Sequence, residues 1–308
     1  MRRRIVIFAG LAALVLAPER SAGQQTQSKI PRVGVLTVAP RDPDTSSQTG
    51  ASWLGSPAMR LPRRQESAPF GEERTFRPTR KIFAQRALFE LLRIALPGAG
   101  ATLTVVSILE ASLALWQHAG PAGMLALLPF IYCAIGLIAL LGVAAVKWLT
   151  VGRYRPFAHP VWSPFVWRLE FVNALYEFFA IDMILDALQG TPFIAWYLRL
   201  LGARIGRDTC INTVGFVEWD LVEIGDGAVL DEDCVLQTHL FEDRVLKGSH
   251  IRIGARCEVG QDSVILYDTA LEDGARIGSL SLVMKGESVT AGRQWVGSPI
   301  SDGAMAAA

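Results

Sequence analysis

An aliphatic residue recurs at every sixth position in the C-terminal third of the chain. The series runs through Ile253, Val259, Ile265, Leu271, Ile277, Val283 and Val289. The same period occurs earlier through Ile205, Ile211 and Val217 and then, after one extra residue, through Ile224, Leu230 and Leu236. An α-helix has 3.6 residues per turn and cannot produce this spacing, whereas the sides of a triangular solenoid coil do.

A second register supports the repeat, because the residue four places after most of these aliphatic positions is small. Its members are Thr209, Gly215, Ala228, Cys234, Cys257, Ser263, Thr269, Ala275 and Ser281. A large inward residue, a turn and a small inward residue on each six-residue side are typical of hexapeptide repeats. The pattern predicts a left-handed parallel β-helix over residues 204–300, with about four coils.

Two long apolar stretches lie before the repeat, from about Ile94 to Trp116 and from about Ala122 to Val146. Each is long enough to cross the hydrocarbon core of a bilayer as a helix. Because only Gln117 to Pro121 separates them, the sequence predicts a transmembrane helical hairpin over residues 83–150.

The charges around this hairpin predict its orientation. Lys and Arg are found on both outer flanks and not in the connecting loop: Arg74, Arg77, Arg80, Lys81, Arg86 and Arg93 come before it, and Lys147, Arg153 and Arg155 after it. Positive flanks stay in the cytoplasm. We therefore expect a multi-pass protein of the inner (cytoplasmic) membrane with the β-helix on the cytoplasmic side.

The N-terminal part gives a conflicting signal. Residues 1–23 combine Arg2 to Arg4 with an apolar run and a small-residue stretch, as a secretory signal does. Residues 24–82 are predicted to be a disordered or foreign segment, because residues 41–80 are polar and rich in Pro, Ser and Arg. Residues 301–308 form a tail. The net charge of +1 and the absence of a basic patch with interleaved aromatics argue against a nucleic-acid partner.

Residues 151–203 are predicted to be amphipathic connector helices, interrupted at His159-Pro160 and at Gly190 to Pro192. Such helices either lie against the bilayer or cover the open first coil of the β-helix. Four Cys residues show neither a disulfide framework nor metal-ligand spacing. Cys234 and Cys257 fall in the small inward register and are expected to be buried.

The six-residue phase breaks between Leu236 and Ile253, and chemically active residue types are concentrated in that interval. An insertion in a repeat array projects on one face without disturbing the core. His239 is the candidate general base, because imidazole titrates near neutral pH. Glu242 or Asp243 is the candidate group to orient its ring. Arg244 and Lys285 are the candidate ligands of a cofactor phosphate or carboxylate, and no metal site is expected.

Each of these residues has a plainer interpretation. A single His in a loop is often a surface or packing residue. Glu242, Asp243 and Arg244 could form a solvated ion-pair cluster that contributes little to stability. Lys285 could be an exposed lysine on a turn.

Three sets of residues follow an order and spacing found in a known family. They are Asp220 to Gly225 with Leu236 to Val245, Ser281 to Glu287 with Trp295 to Pro299, and the connector segments Val146 to Leu149, Gly152 to Arg155 and Gly190 to Pro192. These segments resemble the C-terminal region of the Pls/PosA family, whose members are membrane-bound non-ribosomal peptide synthetases of the poly-lysine synthetase type. The resemblance covers about residues 80–300.

The resemblance implies an amide-forming acyl or aminoacyl transferase module that bears the catalytic His239. Its donor would be the phosphopantetheine thioester of a carrier protein, supplied by another chain, and no covalently bound cofactor is expected. Two alternatives remain: an acetyl or acyl transferase that uses acyl-CoA, and a non-catalytic scaffold or fragment. Related solenoids form homo-trimers with sites between subunits, so self-association is expected by analogy.

Overall fold

A computed structural model describes residues 70–302 together with Trp53–Leu54 (β1) and Met59–Arg60 (β2), which pair antiparallel. Strands β1 and β2 belong to a different unit of the chain from residues 70–302. The signal-like segment 1–23, most of the segment predicted to be disordered and the last six residues lie outside the described part. Residues 301–302 were assigned to the tail, but they form a strand.

Helices make up most of residues 70–203. They are α1 (Glu72–Thr75), α2 (Arg80–Thr150), α3 (Pro164–Leu175), a π-helix (Tyr176–Leu185), a 3₁₀ turn (Asp186–Leu188) and α4 (Pro192–Leu201), with the strand β3 (Phe157–Pro160) between α2 and α3. The prediction of disorder is therefore wrong for residues 72–75 and 80–82. Thr79 caps α2 by accepting a hydrogen bond from the Ile82 N–H, which favours helix from residue 80 onward.

Helix α2 reverses direction at Gly120, where the backbone is non-helical with φ 68°. This φ suits glycine, and Pro121 disfavours helical geometry in the residue before it. Both ends of α2 contact helix α3. Arg86 forms an ion pair with Glu170, and the Thr150 carbonyl accepts a hydrogen bond from Arg168. A straight helix would separate residues 86 and 150 by roughly 96 Å.

From residue 204 the chain consists of short strands. They are β4 (Arg204–Ile205), β5 (Cys210–Ile211), β6 (Gly215–Phe216), β7 (Val222–Ile224), β8 (Val229–Leu230), β9 (Val235–Gln237), β10 (His239–Glu242), β11 (Val245–Gly248), β12 (Ile251–Ile253), β13 (Glu258–Val259), β14 (Val264–Leu266), β15 (Thr269–Leu271), β16 (Arg276–Ile277), β17 (Leu282–Val283), β18 (Ser288–Val289), β19 (Gln294–Val296) and β20 (Ser301–Asp302).

Most of these strands form three parallel sheets that make the sides of a β-helix. The sheet orders are β4-β7-β12-β15-β18, β5-β8-β13-β16-β19 and β6-β9-β14-β17, with β20 added antiparallel to β19. Residues 204–296 thus contain four coils with all three strands and two strands of a fifth. The predicted parallel β-helix is confirmed, and its left hand stays a prediction.

The predicted inward positions form the core of this β-helix. All seven aliphatic residues from Ile253 to Val289 are at most 3% exposed. One earlier position is wrong: Phe216, not Val217, points inward and pairs with Leu236. The repeat therefore slips by one residue before Val217, and a turn follows in which Trp219–Leu221 form a 3₁₀ helix.

Helix α4 covers the open first coil. Thr191 and Pro192 begin the helix and Gly202 ends it with φ 115°. Arg199 donates hydrogen bonds to the carbonyls of Ile205 and Gly206, which are strand-edge groups of the first coil. The alternative in which connector helices cover the solenoid is confirmed for α4, since an uncovered edge would leave such groups unpaired.

The interval between β9 and β12 leaves the solenoid as the hairpin β10–β11. Strand β11 also pairs antiparallel with β3, so a three-stranded sheet forms beside the coils. The break in the six-residue phase therefore marks an inserted hairpin, which β3 and the start of α3 hold in place. His159 and Phe157 of β3 pack against Phe165 of α3.

Candidate functional site

Glu218 occupies the turn that the slip at Val217 creates. Its backbone is left-handed, with φ 38° and ψ 59°, and its side chain is completely buried. A residue other than glycine in this region is strained, and such strain clusters at functional sites. A buried carboxylate also needs charged or hydrogen-bonding partners to compensate for its lost hydration.

His239 supplies the main partner. It is the first residue of β10, and its Nδ1 lies 2.9 Å from Glu218 Oε1 and 2.8 Å from Oε2. Thr238, also buried, places its hydroxyl within hydrogen-bond distance of Glu218 Oε2 and 2.9 Å from the Val217 carbonyl. The carboxylate thus fixes the ring of His239 from the solenoid side.

This contact determines which ring nitrogen can act. When a carboxylate accepts a hydrogen bond from Nδ1–H, the neutral ring has its basic lone pair on Nε2. A carboxylate in this position also stabilises the imidazolium that forms when Nε2 takes up a proton. The pair has the arrangement expected of a general base and its orienting group.

His239 lines a cleft of about 140 Å³ between the hairpin, α3 and the first half of α2. Its other lining residues are Arg93, Leu169, Glu170, Asn173, Ala174, Glu177, Phe241 and Leu246. The wall formed by α3 and the π-helix carries Glu170, Asn173 and Glu177, whereas Phe241 and Leu246 make the hairpin wall apolar. The edge of the Phe241 ring packs against the imidazole, with centroids 6.2 Å apart.

Asn173 and Glu177 of the polar wall are available to contact a ligand. The Asn173 side-chain oxygen is buried and has no hydrogen-bond partner in the described structure. A buried orphan acceptor costs free energy unless a bound group satisfies it. Glu170 forms an ion pair with Arg86, whereas Glu177 is exposed at the mouth of the cleft.

Glu242 does not orient His239, which corrects the prediction. Side chains alternate across a strand, so residues 239 and 242 of β10 point to opposite faces. The carboxylate of Glu242 instead contacts Lys285, Lys247 (3.1 Å) and the hydroxyl of Tyr267 (3.1 Å). Burial raises the pKa of Glu242, but the two lysines outweigh burial and the net pKa is lowered.

The other predicted site residues also lie away from the cleft. Asp243 and Arg244 are the two residues of the hairpin turn, both with positive φ as a type I′ turn requires. The Arg244 guanidinium stacks 5.0 Å from the Phe76 ring centre. Lys285 belongs to the cluster around Glu242. The five candidates thus lie in three places: His239 in the cleft, Asp243 and Arg244 at the hairpin turn, and Glu242 with Lys285 behind the hairpin.

Sequence reasoning missed Glu218, Thr238 and the α3 wall of the cleft. A signal for Glu218 was present, because the spacing from Val217 to Ile224 is seven residues and Glu218 lies in that interval. The contact between Glu218 and His239 joins neighbouring coils, so only the register of β6 with β9 reveals it. The residues of α3 carry no comparable pattern.

A larger groove of about 700 Å³ lies on the outer face of the first sheet. Glu223 there lies between Arg204 and Arg252 and forms ion pairs with both. Neither His nor Cys lines this groove, and no group of three or more His, Cys, Asp or Glu side chains suited to a metal ion occurs in residues 70–302. The smaller cleft is therefore the candidate site.

No protein-family model matches the chain. It is 37% identical over 268 residues to delta-poly-L-ornithine synthetase of Acinetobacter baumannii strain AB307-0294, a match that covers 86% of the chain. The chain is a relative of the Pls-like synthetases. This confirms the family resemblance, although the chain spans only about 20% of that relative's length.

Solved structures resemble only part of this Pls-like chain. A maltose O-acetyltransferase from Clostridium difficile 630 matches with a TM-score of 0.32 and 20% identity, covering 38% of the chain and 80% of that structure. Soybean serine acetyltransferase, complexed with serine, matches with a TM-score of 0.30 and 19% identity, covering 62% of the chain and 66% of that structure.

Proposed function

We propose that the chain is a membrane-anchored transferase module of a synthetase, which forms amide bonds between an acyl or aminoacyl thioester and an amine. The observation that supports this most directly is the Glu218–His239 pair at a cleft with an acidic wall. The relationship to a delta-poly-L-ornithine synthetase supports an amine as the acceptor.

His239 acts as the general base in this proposal. The acceptor nitrogen attacks the thioester carbonyl carbon, so that a C–N bond forms while His239 Nε2 takes the proton that the nitrogen loses. The C–S bond then breaks, and the departing thiolate is protonated, with the imidazolium as the proton source. Glu218 holds the ring throughout, as a carboxylate does in a triad.

The wall of the cleft formed by α3 and the π-helix suits an acceptor that carries positive charge. Glu177 favours a cation, since Glu170 is already paired with Arg86, and the Asn173 oxygen can accept a hydrogen bond from an ammonium or amine N–H. Ornithine has amino groups at both its α and δ positions. One would be held by the acidic wall while the other faces His239.

The donor is proposed to be a thioester of phosphopantetheine on a carrier protein. Acyl-CoA carries the same thioester arm and is the alternative donor. Arg244 remains a candidate to hold its phosphate, since its guanidinium lies at the tip of the hairpin. Lys285 is already paired with Glu242, so it would bind phosphate only by exchanging that partner.

Membrane anchoring is assigned to helix α2. The helical stretch Glu72–Thr150 is long and apolar enough to cross a membrane, and little of its most apolar window is buried. Gly100 packs against Phe179 and Gly136 against Ile184, so both arms contact the π-helix before they continue to Gly120. Each free arm is then roughly 24–30 Å long, which matches the hydrocarbon thickness of a bilayer.

We therefore propose that the membrane-embedded part is shorter than residues 83–150 and comprises about residues 101–135, on either side of Gly120. The β-helix is proposed to lie in the cytoplasm. Labelling of introduced cysteines tests the orientation in cells, after Cys133 and Cys210 are replaced by Ser. An impermeant maleimide should label Gln117→Cys in intact cells and Ser288→Cys only after permeabilisation. The reverse pattern would overturn the orientation.

The proposed chemistry is tested with the purified chain in lipid nanodiscs, an aminoacyl-pantetheine thioester and L-ornithine. His239→Ala should lower amide formation about 10²- to 10⁴-fold, the range of a general base. His250→Ala is the matched control, because His250 lies at the end of the hairpin outside the cleft. Its rate should equal that of the unaltered chain.

The outcomes separate the alternatives. Equal rates with His239→Ala and the unaltered chain would reject His239 as the base. Activity with acyl-CoA but not with a carrier-bound thioester would favour the coenzyme A enzyme. Binding of neither thioester by calorimetry would favour a non-catalytic scaffold. Analytical ultracentrifugation of the same sample tests the expected homo-trimer.

A further inference from the structure

Three consecutive buried residues form the turn beside the cleft, and each contacts a different part of the protein. Glu218 contacts His239, as described above. Trp219 is fully buried, with its ring centre 5.0 Å from that of Tyr176 and 6.4 Å from that of Tyr154. Asp220 faces the end of helix α2. We refer to Glu218–Trp219–Asp220 as the anchor turn.

Asp220 ties the anchor turn to α2 through a buried ion pair. Its Oδ2 lies 2.6 Å from Lys147 Nζ and accepts a further hydrogen bond from the Tyr154 N–H at 3.1 Å. The Lys147 side chain is completely buried and lies over the ring of Trp148. Gly202 approaches closely on the other side, where any side chain would collide with the Asp220 carboxylate.

A buried ion pair contributes little net stability to a fold. The loss of hydration of two charges often exceeds their attraction, and apolar residues of similar volume are then equally stabilising. What a charged pair supplies is a defined geometry, because its hydrogen bonds tolerate little displacement. Here the geometry matters two residues away, since Glu218 is in a strained left-handed conformation that its surroundings must maintain.

The electrostatic environment of the turn is consistent with tight packing around two carboxylates. Burial raises the pKa of the Tyr154 hydroxyl well above its usual value, and the charges of Glu218 and Asp220 raise it further. The buried Tyr154 hydroxyl therefore lies close to both carboxylates. Lys147 compensates Asp220, and His239 compensates Glu218 when its ring is protonated.

We propose that Lys147 and Asp220 are positioning residues, which hold the anchor turn so that Glu218 fixes the His239 ring with Nε2 toward the cleft. The end of helix α2 is thereby coupled to the candidate general base. This inference rests on the proposed function only for its kinetic consequence, because the orientation of the ring is measurable without turnover.

The test uses the double variant K147M/D220N in the full chain. Replacing both partners avoids leaving one unpaired buried charge, and the amide oxygen introduced at position 220 can still accept the Tyr154 N–H. The ¹⁵N signals of His239 in labelled protein report which ring nitrogen bears the proton. We expect one tautomer, protonated on Nδ1, in the unaltered chain and a mixture in the double variant. We also expect kcat to fall roughly 10- to 100-fold with KM unchanged.

Val283→Ala is the stability control, because Val283 is fully buried in the third sheet, three coils beyond the anchor turn. It should lower the melting temperature without changing the His239 signals or kcat. A double variant with the tautomer signals of the unaltered chain would overturn the inference, whatever the activity. If His239→Ala retains full activity while the double variant loses the single tautomer, the proposed function fails and the positioning inference stands.

Discussion

The last coils of the β-helix and the first two are built from the same repeat, but the last coils are regular and the first two are interrupted. From Ile253 to Val289 every sixth residue fills the core, and neighbouring coils stay in register. In the first two coils the phase breaks twice, near Val217 and after Leu236. Those two breaks place Glu218 and His239 side by side. Regular rungs supply a rigid frame, and departures from regularity place the reactive groups.

The largest expected effect comes from a change at the first break. Glu218→Gln keeps the size of the side chain, but the amide can donate to Nδ1 and so stabilise the wrong tautomer. We expect kcat for amide formation to fall about 10²- to 10⁴-fold, as when the orienting carboxylate of a triad is replaced. Steady-state kinetics in nanodiscs measure this. A change smaller than about threefold would show that this break is merely structural.

A change in the regular coils should have the opposite profile. Ile265→Ala empties part of the core, so the free energy of unfolding should fall by about 2–5 kcal/mol while kcat per folded molecule stays constant. Ile265→Val is the matched control, with an expected loss of about 0.5–1.5 kcal/mol. Thermal denaturation followed by circular dichroism measures both. A loss of kcat at permissive temperature would mean that the coils are not a passive frame.

The face of the hairpin behind His239 gives a pH-dependent prediction. The pKa of Glu242 is lowered in the folded state, so its ionisation stabilises the fold above the ordinary value of 4.5. That stabilisation is lost as the pH falls from about 4.5 through the lower folded-state pKa. Melting temperatures measured from pH 7 to pH 3 should fall less steeply for Glu242→Gln. Identical slopes would contradict the assignment.

The smallest effect is expected on the outer face of the coils. Arg293 pairs with Asp302 at a largely exposed position. Arg293→Gln should change the free energy of unfolding by at most about 1 kcal/mol, and less in high salt. Chemical denaturation at two salt concentrations checks this. A larger loss would show that the short strand β20 contributes more to the last coil than its exposed ion pair indicates.

The part of the fold that follows a strict period could be predicted from the sequence. The rungs from Ile253 to Val289 required only the six-residue spacing, because each position meets the same environment. The inward position at Phe216 was missed, since Val217 fits the same pattern when the slip is placed one residue later. The reversal at Gly120 was expected from the short loop between two apolar stretches.

The candidate site could be predicted only in part. His239 stands out as the one histidine at the start of the irregular interval, and the structure places it in the cleft. Its partner could not be identified from neighbouring residues, because Glu242 is closer in sequence but on the other face of β10. Glu218 becomes its neighbour through the stacking of coils, which brings residues 21 positions apart into contact.

A double-mutant cycle on Glu218 and His239 tests the central claim most directly. The rate of amide formation would be measured for Glu218→Gln, His239→Ala and the double variant. If Glu218 acts only through the ring of His239, the double variant should be no slower than His239→Ala alone. If the two losses multiply instead, the residues act independently, and the breaks in the repeat do not build one catalytic unit.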